Sequence, residues 1–376
     1  MAPKVSSHRL VSFLLGAALP TILLFLVASD RVGEHLSNGV SGCWLGSNSA
    51  TPGTALAPQN STVQGTRDPL AISVHASPVV PKLVEEKFKG LATLLTKVTT
   101  DDGTVIITSV NEAWARPGSL LDIFLASFKN GKGIAHLLNH TLIIVVDTVA
   151  LAHCEAVHPH CYLHEVTSAN VSSANRFMTK SYLELIWPRL EVPQRILQLG
   201  YSYLSTLILL LIGCGCHVVA QPIPTHQPLR RHGDGFNGNV DDLKNVGNSG
   251  FYYIRSVNRM VKMLNCWLAA RSRFPSAHDQ GVLNEIKAEL AAGDLQIKFV
   301  FLDTVIFGGF CQFHREMDKV CTMHAICCIG LENKVHDLRN LADDWKNYTS
   351  LAPTEKRSGR PRWTSPNRCK ASMRKQ

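Results

Sequence analysis

The 376-residue chain has little charge and few aromatic residues. Asp, Glu, Lys and Arg make up 18% of it and Phe, Trp and Tyr 7%, whereas 45% is hydrophobic. This composition excludes a wholly disordered chain, and the length leaves room for one large folded domain or two ordinary ones. The sequence also lacks a glycine-rich phosphate loop, a zinc-protease helix and an internal repeat, which argues against P-loop, zincin and repeat architectures.

Acidic residues are scarce at both ends of the chain, and this accounts for the whole excess of positive charge. The net charge is +9, with Lys4 and Arg9 before residue 10 and eight Lys or Arg after residue 352 against Glu355 alone. Residues 10–352 are therefore neutral overall. A neutral body argues against a basic nucleic-acid-binding domain, so we expect no nucleic-acid partner. The polar, basic segment 353–376 is predicted to be a disordered tail.

Residues 10–28 contain no charged residue and are apolar or small. As a helix they span roughly 28 Å, about the thickness of a bilayer's hydrocarbon core. Arg9 and Lys4 precede this run, so residues 1–9 are predicted to be a cytosolic tail and residues 10–28 a transmembrane signal anchor. A cleaved signal peptide ending at Ala28 is the alternative. Residues 29–80, rich in Ser, Gly, Pro and Thr, are predicted to form a flexible, disordered stem.

Short apolar, β-branched runs alternate with helical patterns in the rest of the chain. Residues 105–108, 142–147, 161–163 and 297–303 are predicted strands. This alternation predicts an α/β fold with a mostly parallel central sheet. Ligands bind such sheets at the carboxyl ends of the strands.

Sequons and cysteines both suit a domain that faces an oxidising compartment. The chain has eleven cysteines and four N-x-Ser/Thr sequons, at Asn60, Asn139, Asn170 and Asn347. A zinc site built from the cysteines around His324 is an alternative for part of the set, but the spacing matches no standard zinc pattern.

Eight sequence segments carry a family resemblance in a fixed order. They are TVIITSVNEAWARPGSLLDIFLASF (104–128), HPHCYLHEV (158–166), FMTKSYLELIW (177–187), FNGNVDDL (236–243), NSGFYYIRSVNR (248–259), HDQGVLNEIK (278–287), FLDTVIFGGFCQ (301–312) and VCTMHAICCIGLENKVHDLRNLADDWKNY (320–348). The series resembles the plant nucleotide-diphospho-sugar transferases of glycosyltransferase family 77.

The resemblance implies a GT-A-type nucleotide-sugar-binding domain over residues 81–352. It further implies a UDP-type sugar donor, an acceptor that is a cell-wall glycan or glycoprotein, retention of the anomeric configuration, and Mn²⁺ or Mg²⁺ as cofactor. The transferred sugar would be a pentose. The expected location is the Golgi membrane, with single-pass type II topology and a lumenal catalytic domain.

The same resemblance implies which residues form the site. Asp279 is the catalytic candidate, because a carboxylate there would contact the sugar or stabilise positive charge at its anomeric carbon. His324 is the metal-ligand candidate. The nucleotide-sugar-binding candidates are Thr108, Asn111, Glu112, Asp147, Asn248, Ser249, Gly250, His278 and Gln280. Helix capping, a simple turn or a buried core histidine are the structural alternatives for these positions.

One expected feature is missing. After RILQLGY (195–201) the family continues into a strand that ends in Asp-x-Asp, the carboxylate pair that holds the metal. Here residues 202–233 contain no acidic residue. Three interpretations remain open for the anomalous segment 202–235: a frame or splicing error, a catalytically inactive pseudoenzyme or scaffold, and an enzyme with a replacement metal site. A second membrane helix at 204–220 is a further alternative, although the run is short and interrupted.

Overall fold

The computed structural model describes residues 86–167, 171–207, 209–211 and 229–374. The predicted cytosolic tail, signal anchor and stem lie outside these ranges and stay predictions. Within the ranges described, no helix combines the length and apolarity that crossing a bilayer requires.

The described strands and helices follow one another in an α/β order. The strands are β1 (Thr104–Val110), β2 (Thr141–Val145), β3 (Cys161–Leu163), β4 (Ser202–Thr206), β5 (Leu209–Leu211), β6 (Leu229–Gly235), β7 (Val246–Ile254), β8 (Phe299–Leu302), β9 (Phe307–Gly309) and β10 (Thr322–His324). The α-helices are α1 (Leu91–Val98), α2 (Glu112–Ala115), α3 (Leu120–Asn130), α4 (Thr148–Val157), α5 (Lys180–Ile186), α6 (Glu191–Gln198), α7 (Asn258–Ala269), α8 (Asp279–Ala292), α9 (Leu331–Ser350), α10 (Pro353–Lys356) and α11 (Asn367–Met373). Short 3-10 turns occur at Ala135–His140, Pro188–Leu190 and Ala270–Ser272.

Seven strands form the central sheet in the order β3-β2-β1-β4-β7-β6-β8. The pairs β3–β2, β2–β1, β1–β4 and β6–β8 are parallel, whereas β7 runs antiparallel to both β4 and β6. The prediction of an α/β fold with a mostly parallel central sheet is therefore confirmed. Helices cover such sheets on both faces, which explains why every residue of β2 is buried.

The four predicted strands coincide with observed ones. Residues 105–108 lie within β1, residues 142–147 begin inside β2 and run past its end, residues 161–163 are β3, and residues 297–303 contain β8. On one face of the sheet, Phe124 and Phe128 of α3 meet edge to face at 5.1 Å. These rings belong to a core that also includes Leu338 and Leu341 of α9.

The segment without acidic residues begins as part of the central sheet. Its first strand, β4, pairs with β1 on one side and β7 on the other, and Tyr203 is fully buried there. The chain then enters a three-stranded sheet of order β5-β10-β9, in which β5 is antiparallel to β10. Residues 212–228 lie outside the described ranges. The open interpretations of this segment stay predictions.

Three disulfide bonds join described residues: Cys154–Cys161, Cys311–Cys327 and Cys328–Cys369. The last of these joins the start of α9 to α11, across 41 positions of sequence.

The prediction that residues 353–376 are disordered is wrong for the part that the structure describes, which ends at residue 374. This segment forms α10 and α11, and Trp363 stacks on Trp345 of α9 at 6.1 Å between ring centroids. The Trp363 indole donates to the Glu316 carbonyl at 3.0 Å, and Cys369 is fully buried. Two buried side chains and one covalent bond thus order a segment whose average composition is polar and basic.

We predict that Cys328→Ala and Cys369→Ala each lower the free energy of unfolding by about 4 kcal/mol, the loop-closure entropy of a crosslink of this span. Because both changes break the same bond, the double variant should lose about as much as either single variant. Chemical denaturation of the three variants measures this. Strictly additive losses would contradict a bond between the two cysteines.

Candidate functional site

A cavity of about 510 Å³ lies at the carboxyl ends of β1, β2 and β4. Val110, Val146 and Leu207 line it at these three strand ends. Further wall residues come from β7 (Asn248, Ser249, Gly250), the start of α8 (His278, Asp279, Gln280), the end of β10 (His324) and the first turn of α9 (Lys334). This is the edge of a parallel sheet at which α/β proteins bind ligands.

A buried ion pair connects three of these elements. Arg189 follows Pro188 in the 3-10 turn, and its Nη2 donates to Asp279 Oδ2 at 2.5 Å and to Ser249 Oγ at 3.0 Å. The side chains of Arg189 and Asp279 are 12% and 1% exposed. One guanidinium therefore joins the turn before α6, the start of α8 and strand β7.

The ion pair keeps Asp279 charged. Burial by itself would raise the pKa of this carboxyl, but the adjacent Arg189, with a smaller contribution from His278, lowers the pKa to about 2. Burial also opposes the charge on Arg189, and Asp279 outweighs it, so the pKa of the guanidinium is raised. At neutral pH Asp279 is thus a carboxylate that accepts hydrogen bonds and has no proton to donate.

The second carboxylate oxygen of Asp279, Oδ1, lies outside the bond with Arg189. Among the described residues Oδ1 has no hydrogen-bond partner, and the His278 Nδ1 lies 3.9 Å from it. The Asp279 backbone carbonyl is held by the Trp267 indole at 2.9 Å. His278, rather than Asp279, caps α8, because its Nδ1 accepts from the Gly281 amide at 3.3 Å.

Strand β7 presents its backbone to the cavity at Gly250. A Cβ on this residue would lie 2.7 Å from His324 Cε1 and 3.1 Å from Leu207 Cβ, closer than side chains tolerate. The Asn248 Oδ1 accepts from the Gly250 amide at 2.6 Å, which fixes this part of the strand. Only glycine fits here without displacing the imidazole.

The remaining contact joins β7 to α8, since the Ser249 amide donates to the Gln280 Oε1 at 3.1 Å. The structure thus brings together eight of the predicted residues around one cavity: Asn111, Asn248, Ser249, Gly250, His278, Asp279, Gln280 and His324.

Three other predicted residues do not line this cavity. Asp147 caps α4, and its two oxygens accept from the Ala150 amide at 2.7 Å and the Glu112 amide at 2.9 Å. Glu112 lines a separate surface groove, and Thr108 is buried within β1.

Asn111 lines the cavity and also caps α2 through the Trp114 amide at 3.2 Å. Capping, the structural alternative, therefore accounts for the contacts of Asp147. The nucleotide-binding roles of Asp147, Glu112, Thr108 and Asn111 stay predictions.

The structure adds cavity residues that the sequence did not assign. They are Arg176, Phe177, Tyr182, Arg189, Leu207 and Lys334. The Phe177 ring packs against Tyr182 and His278, with ring centroids 5.2 Å and 5.5 Å apart. The pKa of Tyr182 is raised, mainly by burial and also by the nearby Asp279 carboxylate. Phe177 and Tyr182 belong to the segment FMTKSYLELIW (177–187), so its position in the motif series was the available signal.

The donors at the cavity do not fit the divalent cation that the resemblance implies. Mn²⁺ and Mg²⁺ prefer several oxygen ligands. Leu207 stands directly after β4, where the family would place its carboxylates, and Asp279 is engaged by Arg189. Within the described ranges no three His, Cys, Asp or Glu side chains come together as a possible metal site. The described residues therefore do not form a site for this cation, and the metal role of His324 stays a prediction.

We predict that Arg189→Met lowers the free energy of unfolding by about 3–5 kcal/mol, because it leaves a buried carboxylate without its counter-ion. The matched control is Arg273→Met, which removes an exposed pair with Glu289 and should change stability by less than about 1 kcal/mol. Chemical denaturation measures both.

The difference in stability between wild type and Arg189→Met should also depend on pH. The native pKa of Asp279 is depressed, so the pair stabilises the fold above pH about 4 and this contribution is lost as the pH falls towards 2. The gap between wild type and Arg189→Met should narrow over that range. A gap that stays constant would mean that the lost stability does not come from the charge on Asp279.

Comparison with known proteins identifies the family. A family model described as nucleotide-diphospho-sugar transferase matches residues 136–207 and 225–338, so the match breaks within the run that lacks acidic residues. The chain is 39% identical over 274 residues to "Uncharacterized protein At4g15970" of Arabidopsis thaliana, covering 72% of this chain and 71% of that protein. It is 32% identical over 267 residues to "Uncharacterized protein At1g28695" of the same plant, covering 68% and 78%. The chain therefore belongs to the nucleotide-diphospho-sugar transferase family.

Proposed function

We propose that this protein is a GT-A-type glycosyltransferase of family 77 in the Golgi membrane, with single-pass type II topology. It moves a sugar, a pentose, from a UDP-type donor to a cell-wall glycan or glycoprotein with retention of configuration. The observation that carries this proposal is the cavity at the carboxyl ends of β1, β2 and β4, which is lined by residues of the family's motif segments, eight of them predicted site residues. Family membership supplies the donor class.

The cavity offers each part of such a donor a suitable surface. Asn111 and the ends of β1 and β2 provide polar side-chain and backbone groups for the nucleoside, and bare backbone at Gly250 lets the sugar approach closely. Asp279 is a carboxylate at neutral pH and its Oδ1 makes no hydrogen bond to the residues described, so this oxygen can accept one from a sugar hydroxyl.

Asp279 has a limited part in the chemistry. Because Arg189 shares its charge, Asp279 stabilises positive charge at the anomeric carbon less than an isolated carboxylate would. Its role is mainly to position the sugar.

A non-catalytic member that binds the donor or scaffolds other transferases is the second candidate. It is favoured by Leu207 at the cavity wall and by the absence of acidic residues from 202–233. Sequencing the transcript across codons 200–236 separates this candidate from a frame error, since a shifted frame that restores Asp-x-Asp would mean that the gene encodes the family's carboxylates.

We predict that the full chain binds UDP and that Gly250→Ala weakens this binding at least about tenfold, because the new Cβ would lie 2.7 Å from His324 Cε1 and displace this ring, which lines the cavity. Gly235→Ala is the matched control, since a Cβ there would meet no described atom within 4 Å. Isothermal titration calorimetry measures both affinities, and circular dichroism checks that both variants fold. Equal binding by the two variants would place the nucleotide elsewhere.

Turnover decides between the two candidate functions. The full chain is incubated with UDP-arabinose and UDP-xylose, and the release of UDP is followed by a coupled assay. UDP release in proportion to protein supports the transferase. Binding of UDP without release from either donor, in the presence of an arabinoxylan or hydroxyproline-rich acceptor, supports the non-catalytic candidate instead.

A further inference from the structure

The cavity itself carries the positive charge that a nucleoside diphosphate requires. We infer that it binds the diphosphate of its nucleotide ligand through its own cationic side chains, Arg176 and Lys334, with no bridging metal ion. This inference rests on the proposed function for the identity of the ligand, and departs from the family's metal-bridged binding.

The charge of the cavity wall follows from the residues that line it. Arg189 and Asp279 neutralise each other in the buried pair. Among the described residues that line the cavity, Asp279 is the only Asp or Glu. Arg176 and Lys334 are the other Arg and Lys side chains of the described lining, and each brings one positive charge to it. His278 and His324 add positive charge only when protonated. A nucleotide sugar carries roughly two negative charges on its diphosphate, so the wall and the ligand are complementary.

Lys334 is held at the wall by a specific contact. It lies in the first turn of α9, and its Nζ donates to the Ala325 carbonyl at 2.7 Å. Ala325 directly follows His324, so this contact ties the ammonium to the end of β10.

The start of α9 adds to this positive region. Cys328, Ile329, Gly330 and Leu331 all line the cavity, and no side chain caps this 20-residue helix. Its first amide groups and the helix dipole favour an anion next to Lys334. Glu332 in the same turn opposes this effect, but it pairs with Arg116 at 2.9 Å on the protein surface.

A divalent cation would meet unfavourable surroundings in this cavity. It would share the cavity with Arg176 and Lys334, and the residue after β4 is the aliphatic Leu207. The sequence supplies no carboxylate anywhere in residues 202–233, including the part that the structure does not describe. Because the wall already provides the charge that Mn²⁺ would otherwise bring, the metal is dispensable for binding.

The first test compares UDP binding with and without metal. The full chain is titrated with UDP by calorimetry in EDTA and then in MnCl₂. We expect dissociation constants that agree within about threefold. Binding that appears only with Mn²⁺ overturns this inference and leaves the proposed function standing. Binding under neither condition overturns the proposed function, and the inference fails with it.

The second test asks whether Arg176 and Lys334 are the residues that bind the diphosphate. Arg176→Gln and Lys334→Gln should each raise the dissociation constant for UDP in EDTA about tenfold. The dissociation constant for uridine should change little, because uridine has no phosphate. Lys334→Arg, which keeps the charge, should retain most of the affinity.

Lys346→Gln is the matched control, since Lys346 is an exposed lysine of the same helix that does not line this cavity. Circular dichroism confirms that each variant folds. Unchanged UDP affinity in both glutamine variants, or an equal loss for uridine, would overturn the assignment.

Discussion

The buried pair between Arg189 and Asp279 is the constraint on which the site depends. Neither charge is stable in the interior without the other, so the turn that carries Arg189 and the helix that begins at Asp279 have to stay in contact. The bond to Ser249 adds strand β7 to the same unit. The rest of the cavity is arranged around this fixed, neutral centre, and the neutrality leaves Arg176 and Lys334 to set the sign of the wall.

Much of the fold could be predicted because the sheet is buried on both faces. Residues 105–108, 142–147 and 161–163 are short apolar runs, and such runs are typical of strands that are buried on both faces in a parallel sheet. Motif order also located eight of the eleven predicted site residues at the cavity. Arg189 could not be found in this way, because its importance comes from Asp279, which lies 90 positions further along the chain.

Composition misled the prediction where a few side chains decide the structure. Residues after 352 are mostly polar and basic, which is typical of disorder, yet Trp363 and Cys369 are buried and hold the segment in place. In residues 202–233, which contain no acidic residue, the composition did agree with the structure. Its hydrophobic character let Tyr203 and Leu204 enter a central strand, so the sheet forms there although the expected carboxylates are missing.

The bond between Cys328 and Cys369 has a consequence for the order in which the protein matures. Cys328 lines the cavity, and so does Met373, while the hydroxyl of Ser372 accepts from the Ile329 amide at 2.9 Å. This side of the cavity is complete only after the ribosome has passed residue 373 and an oxidant has joined the two thiols. The central sheet contains neither residue. Completion of this side of the cavity therefore depends on the redox state of the compartment in which the protein folds, whereas the strands of the central sheet need no such bond between these two cysteines.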